Sequence, residues 1–252
     1  MTDELVSLQR TLYESRNPTR RWLHNSRRDW IVKEIQKHSC SGGKALEIGP
    51  GSGVYVPTLL NNFADIYLAD CEPVYLSAIG ARYSDDSRVT TVVDDITHSA
   101  LPSDFFDLIL CTEVIEHIAD SPAALQNIAR ILKPDGVLVL STPQRYSSLE
   151  VVAKVALSPW LIWLTRLAYR EPVLELGHIN LMTEHELRRQ LAAANFRVMD
   201  HAKGGLYLPG LAEVGGKFAQ TLSANLEKKM RDSFLEWVLW TQYYVVKRVT
   251  PD

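Results

Sequence analysis

Five short apolar runs, Ala45–Ile48, Ile66–Ala69, Val89–Val93, Leu108–Cys111 and Val137–Leu140, alternate with stretches of helical periodicity. Runs rich in Val, Ile and Leu read as strands buried on both faces, and the helices between them make each connection a crossover. The pattern therefore specifies an α/β chain, a doubly wound, mostly parallel sheet covered by helices. The 252 residues exceed a minimal sheet of this kind and leave room for additions to a single domain.

Local punctuation agrees. Ser121-Pro122 reads as an N-cap with proline at the first helical position, ahead of a face carrying Leu125, Ile128 and Leu132. Lys133-Pro134-Asp135-Gly136 reads as a turn into the fifth strand. Thr183-x-x-Glu186 is a capping box whose helix stops near Asn195, a residue that tolerates the left-handed conformation. Thr241–Val249 reads as a closing strand.

The sequence is expected to divide into four segments: an N-terminal helical segment (1–43), a sheet-forming core (44–143), a helical lid insertion (144–182) and the C-terminal part of the core (183–252). Between Arg16 and Lys37 there are seven cations and two anions, and Trp22, Trp30, Ile31 and Ile35 form an apolar stripe that Ser41-Gly42-Gly43 ends. Within the lid, Val151–Ala168 is apolar but interrupted by Lys154, Pro159 and Arg166. It falls short of the roughly 20 apolar residues that span a bilayer. It reads as an ordinary packed helical pair, or as a lid over an apolar substrate or an interfacial helix touching a membrane.

A net charge of −3 removes the basic footprint of a dedicated nucleic-acid binder, so no nucleic-acid partner is expected. Cys40, Cys71 and Cys111 lack C-x-x-C spacing, and MTDELVSLQR has no signal-peptide character. Both features lead to the expectation of reduced thiols and a cytoplasmic location.

The chemistry concentrates at Ala45-Leu-Glu-Ile-Gly-Pro-Gly-Ser-Gly53, a buried strand running into a glycine turn and then a helix. Glycine lets the backbone turn tightly and approach a ligand. A dinucleotide fingerprint read from Gly49 needs a small residue at position 54, where the chain has Val54. Glu47 with Gly49, Gly51 and Gly53 instead matches E/D-x-G-x-G-x-G, which resembles motif I of the class I S-adenosylmethionine-dependent methyltransferases. Asp70 ends the second apolar run, where a carboxylate can accept both ribose hydroxyls. By the resemblance, Asp95 takes the adenine amino group. Leu132–Pro143 is similar to the family's L-K-P-G-G lead-in to the fifth strand, with Asp135 in place of the first glycine. The resemblance covers about residues 44–200 and implies a Rossmann-like, seven-stranded fold with S-adenosyl-L-methionine as cofactor.

Within that superfamily, Thr112-Glu-Val-Ile-Glu-His-Ile118, Ser141-Thr-Pro143 and Gly177-His-Ile-Asn-Leu-Met-Thr183 resemble ubiquinone-biosynthesis O-methyltransferases. This implies O-methylation of an apolar or lipid-linked small molecule. Segment 151–168 falls where the quinone-type enzymes carry a membrane-contacting insertion. Arg27 and Arg28 lie where relatives place an arginine on the methionine carboxylate, and Arg28 is the residue chosen. The expected cofactor set is Arg28, Glu47, Gly49, Gly51, Gly53, Asp70, Cys71, Asp95 and Thr112, with Pro50 and Tyr55 lining the cleft.

Glu113, Glu116 and His117 share one face of a short helix if the segment after the fourth strand is helical. They would suit a divalent cation such as Mg, with His178 as a fourth ligand. Alternatively His117 serves as a general base or is simply a packed polar residue. His117 and His178 are the catalytic candidates. His24, His38, His98, His185 and His201 lack partner spacing and are expected on surfaces. The competing function class is a membrane-surface or partner-binding protein that keeps the fold without turnover, motivated by the basic 16–37 stretch and by 151–168.

Overall fold

The computed structural model describes residues 12–151 and 178–249. The first long element is helix α1 (Pro18–Lys37), opened by Asn17, whose side chain accepts from the Arg20 N–H, and by proline at the first helical position. After it come β1 (Cys40–Ile48), α2 (Val56–Leu60), β2 (Phe63–Asp70), α3 (Pro73–Arg82), β3 (Val89–Val93) and β4 (Phe106–Thr112). The chain continues with α4 (Ser121–Ile131), β5 (Leu132–Pro143), α5 (Glu184–Ala193), β6 (Phe196–Gly204), α6 (Leu211–Val214), α7 (Gly216–Met230) and β7 (Thr241–Arg248).

The seven strands form one sheet in the order β3-β2-β1-β4-β5-β7-β6. β1 to β5 run parallel, and β7 lies antiparallel between β5 and β6. The chain winds outward from β1 in one direction and from β4 in the other. The crevice between those two strands, at their carboxyl ends, is where doubly wound sheets bind ligands.

Alternate residues of a strand face opposite layers, and β4 shows why its sequence is apolar throughout. Leu108 and Leu110 pack with Ile31 and Ile35 of α1, whereas Ile109 and Cys111 pack with Leu125 and Ile128 of α4. All eight are fully buried. Each such aliphatic side chain contributes about 1.5–3 kcal/mol relative to leaving it exposed.

Several local readings need revision. The Ser41–Gly43 stretch does not end the helix as a turn: α1 is capped at His38, and residues 41–43 already belong to β1. A Cβ on Gly43 would lie 2.8 Å from Cys40 Sγ, so the irregular start of β1 requires a residue without one. The N-cap of α4 is Asp120, which accepts the Ala123 N–H, one residue before the expected Ser121. Lys133–Gly136 is extended within β5. Asp135 is not among the residues of positive φ, which explains why a glycine is dispensable there. The capping box of α5 and the left-handed Asn195 (φ 60°) form as read. β6 carries no apolar run: Arg197 and Asp200 face solvent on this edge strand, and Lys203, though buried, is paired with Glu184 and Glu236. His24 is buried, contrary to its expected surface position. The apolar segment 151–168 lies, from residue 152 onward, outside the described residues.

Candidate functional site

The turn after β1 passes through three glycines in the left-handed region, Gly49 (φ 65°), Gly51 (φ 50°) and Gly53 (φ 71°). A Cβ at Gly49 would meet Val114 Cγ2 at 2.6 Å, and one at Gly53 would meet Ile79 Cδ1 at 2.4 Å. The turn thus favours glycine conformationally at all three positions and is sterically restricted to it at 49 and 53. It closes with the Gly53 N–H donating to the Pro50 carbonyl at 2.8 Å.

Below this turn, Glu47 is buried in β1 and its Oε2 has no hydrogen-bond partner. Burial pushes its carboxyl up to about 8. At the end of β2, Asp70 is half-buried and accepts the Glu72 N–H at 2.9 Å. Burial also raises its pKa. Cys71 next to it is exposed. Asp95 lies beyond the end of β3, exposed, and accepts from the Thr97 hydroxyl and N–H, which hold its carboxyl below the usual range. Pro50 and Tyr55 are buried beside the turn. Thr112 ends β4 in register with Ser141 of β5.

The arginine that reaches this crevice is Arg27, and Arg28, expected there, turns away. Leu23, His24, Arg27, Ile31, Glu34 and Ile35 form the buried face of α1, and position 28 lies at its border, turned toward solvent. Arg28 pairs with the exposed Asp29 at 2.8 Å. Arg27 is buried, bonds the Glu113 carboxylate, lies 3.1 Å from His24 Nδ1, and stacks 5.1 Å from the Trp240 ring centroid. Burial opposes its charge most strongly, but Glu113 together with the nearby Tyr13, Tyr55 and Tyr243 outweighs that and raises its pKa.

Glu113 itself has φ 56° and is the pivot at the carboxyl end of β4. Its N–H donates to the Ser141 carbonyl, and its Oε1 accepts the Ser141 hydroxyl, both at 2.9 Å. The segment after β4 is a single 3-10 turn, Ile115–His117, not a regular α-helix. Glu113 therefore does not share a face with Glu116 and His117, and the expected Glu113–Glu116–His117 cation set is corrected. The donor atoms that gather are those of Glu116, His117 and His178, one from each within 4.8 Å of the others.

Glu116 is fully buried, with Oε2 accepting the Thr142 hydroxyl at 3.0 Å and Oε1 without a partner. Burial first, and then the nearby Glu113 charge, raises its pKa well above the usual range. The Glu116 carbonyl accepts the N–H groups of Ile179 (3.1 Å) and Asn180 (2.9 Å), which brings His178 alongside. The His117 and His178 ring centroids are 5.2 Å apart. Two further residues, absent from the sequence-based set, complete the surroundings. Glu150 lies 3.3 Å from His178 Nδ1 through one oxygen and accepts the Trp240 indole N–H at 3.2 Å through the other. No local motif announces either: Glu150 and Trp240 are 90 positions apart.

A family model described as a methyltransferase domain matches residues 20–201. A probable S-adenosylmethionine-dependent methyltransferase of Mycolicibacterium smegmatis is 26% identical over 208 residues, 82% of this chain and 72% of that protein. The chain belongs to the S-adenosylmethionine-dependent methyltransferases. The ubiquinone biosynthesis O-methyltransferase of Actinobacillus pleuropneumoniae serotype 7 is 34% identical over 129 residues, 49% of this chain and 54% of that protein. The methyltransferase thus spans about half the length of such ubiquinone-biosynthesis relatives. Among solved structures, the N-methyltransferase NodS of Bradyrhizobium japonicum WM9 in complex with S-adenosyl-L-homocysteine has a TM-score of 0.59 at 16% identity. That match covers 99% of this chain and 97% of the other and shows a shared fold.

Proposed function

We propose that this methyltransferase O-methylates an apolar or lipid-linked small molecule. The observation that carries the proposal is the imidazole pair His117–His178, 5.2 Å apart, beside the buried Glu116 at the end of β4 and next to the glycine turn. The partial matches to ubiquinone biosynthesis O-methyltransferases support an oxygen acceptor.

The residues of the crevice fit S-adenosyl-L-methionine. The orphaned, buried Glu47 oxygen suits a cationic amine, and the glycine cradle admits a ligand against bare backbone. Asp70 receives the ribose hydroxyls, Asp95 the adenine amino group, and Arg27, in place of Arg28, stands at the methionine end. When bound, the cofactor supplies a methyl group made electrophilic by its sulfonium. The chain's own residues align the acceptor oxygen with that methyl group, exclude water and take the acceptor's proton on an imidazole.

Glu116, His117 and His178 also fit a divalent cation, since Glu116 Oε1 is buried without a partner among two imidazoles. Bound there, such a cation would acidify an acceptor hydroxyl. Turnover lost on chelation and restored by Mg²⁺ supports the cation, and turnover unchanged after exhaustive chelation removes it. The proposal includes a cytoplasmic location with membrane contact through 151–168. No helix among the described residues is long and apolar enough to cross a membrane.

Isothermal titration with S-adenosylmethionine, followed by a panel of quinols and phenols as acceptors, tests the function. Asp70→Ala should weaken cofactor binding about 10- to 100-fold, the equivalent of one or two lost charge-assisted hydrogen bonds. Indistinguishable affinity in the variant, or no turnover of any hydroxyl acceptor, overturns the reading.

A further inference from the structure

Glu150 immediately precedes the last described residue before the 152–177 stretch, yet its carboxyl group is among the most enclosed of the described residues, with a side chain 3% exposed. Both of its oxygens are engaged. Oε1 accepts the Trp240 indole N–H at 3.2 Å, and Oε2 lies 3.3 Å from His178 Nδ1. Its own N–H donates to Ser147 Oγ at 3.2 Å, which fixes the backbone behind it. Trp240 is fixed in turn: it is 7% exposed, stacks under the Arg27 guanidinium and meets the His24 ring edge-on at 5.5 Å. The ring of His178 is 10% exposed and is held from the other side by the Glu116 carbonyl through the backbone of Ile179 and Asn180.

A carboxylate only accepts hydrogen bonds, so the ring nitrogen that faces it must donate. Glu150 thereby selects the Nδ1–H form of His178 and leaves the lone pair on Nε2. An indole N–H only donates, so Trp240 cannot compete for that role and instead fixes the rotation of the carboxylate.

We propose that Glu150, steadied by Trp240, is the positioning residue that makes His178 the base of the methyl transfer. The inference rests on the O-methyltransferase reading and deepens it. As the acceptor oxygen forms its bond to the methyl carbon, the sulfur–carbon bond breaks and its electron pair stays on sulfur, giving a neutral thioether. The acceptor's hydroxyl proton passes to His178 Nε2, and the resulting imidazolium is paired with the Glu150 carboxylate. An oriented histidine–carboxylate pair of this kind holds the ring in the productive tautomer without the carboxylate itself taking the proton.

The test uses the full chain and the variants Glu150→Gln, Trp240→Phe, His178→Ala and His117→Ala. Long-range ¹H–¹⁵N correlation spectra report which nitrogen of His178 carries the proton. Wild type is expected as Nδ1–H. In Glu150→Gln the amide can present its NH₂ to Nδ1, and the signal should shift toward the Nε2–H form. With catechol as acceptor probe, Glu150→Gln should lower kcat about 100-fold or more, within the range for loss of a working general base, at unchanged KM for the cofactor. With 4-nitrocatechol, whose hydroxyl ionises without help, most of that loss should vanish. His178→Ala should follow the same pattern, and in His117→Ala the Nδ1–H form of His178 should persist. Trp240→Phe keeps an aromatic ring but drops the donor, and should reduce both the Nδ1–H population and kcat about ten-fold, the lower end of the scale for a hydrogen bond to a charged group. A His178 that is Nε2–H in wild type, or a tautomer and kcat unmoved by Glu150→Gln, overturns the proposal. Absence of turnover of any hydroxyl acceptor, with the tautomer shift present, would instead count against the O-methyltransferase reading alone.

Discussion

Glu47 offers a measurement that separates burial from function. Its carboxyl titrates near 4.5 in the unfolded chain and about 8 in the folded one, through burial. The folded state therefore retains a proton that the unfolded state releases. Stability from this group is complete below pH 4.5, declines as pH rises toward 8, and is lost beyond it. At about 1.4 kcal/mol per pH unit, the window amounts to at most about 5 kcal/mol, of which about 4 falls between pH 5 and pH 8.5. Glutamine keeps the shape and cannot ionise. The difference in unfolding free energy between Glu47→Gln and wild type should thus move by about 4 kcal/mol in favour of the variant across that interval. Urea unfolding of both proteins at matched pH measures it, and other titrating groups cancel in the difference. Saturating S-adenosylmethionine should narrow the gap, because a cationic amine beside Glu47 restores the ionised form. A difference that stays flat within about 1 kcal/mol from pH 5 to pH 8.5 refutes the argument that this carboxyl is buried without a partner.

The remaining predictions concern the turn and the ion pair. Gly53→Ala combines a φ of 71° with a Cβ 2.4 Å from Ile79 Cδ1, and should cost on the order of 2 kcal/mol. A thermal melt should show a Tm lower by roughly 5 °C, partly recovered when Ile79 is also replaced by alanine; an unchanged Tm contradicts the steric reading. Arg27→Ala leaves Glu113 half-buried without its cation and should destabilise by about 3–5 kcal/mol, whereas Arg28→Ala should stay within about 0.5 kcal/mol. Denaturant midpoints decide between them, and equal effects would return Arg28 to the site.

How much of the fold and the site can be read from the chain depends on what each feature answers to. β1, β2, β4 and β5 are legible because they lie inside the sheet with both faces largely buried, the edge strand β3 because Val89-Thr-Thr-Val-Val93 is β-branched throughout, and the glycine turn because three positive-φ positions, two of them with no room for a Cβ, recur at every second residue. β6 is not legible, since an edge strand is free to carry Arg197 and Asp200, and its buried Lys203 is accommodated by Glu184 and Glu236 from elsewhere in the chain. The choice between Arg27 and Arg28 depends on the rotation of α1 about its axis. Trp22 and Trp30 suggest one rotation, but both sit at the border of the buried face, which runs through Leu23, His24, Arg27 and Ile31. The place of Glu113 is hidden because a left-handed residue at 113 breaks the helical spacing assumed for it. Glu150 and Trp240 meet only through tertiary folding, and neither stands in a motif.

The contact between Glu150 and His178 has a consequence for the stretch between them. Glu150 and His178 stand 28 positions apart in sequence and meet at 3.3 Å. Closing a loop whose ends already meet depends only weakly on its length, about 0.6 kcal/mol for each doubling. A change in the number of residues between 151 and 178 is therefore expected to leave the free energy of that contact almost untouched.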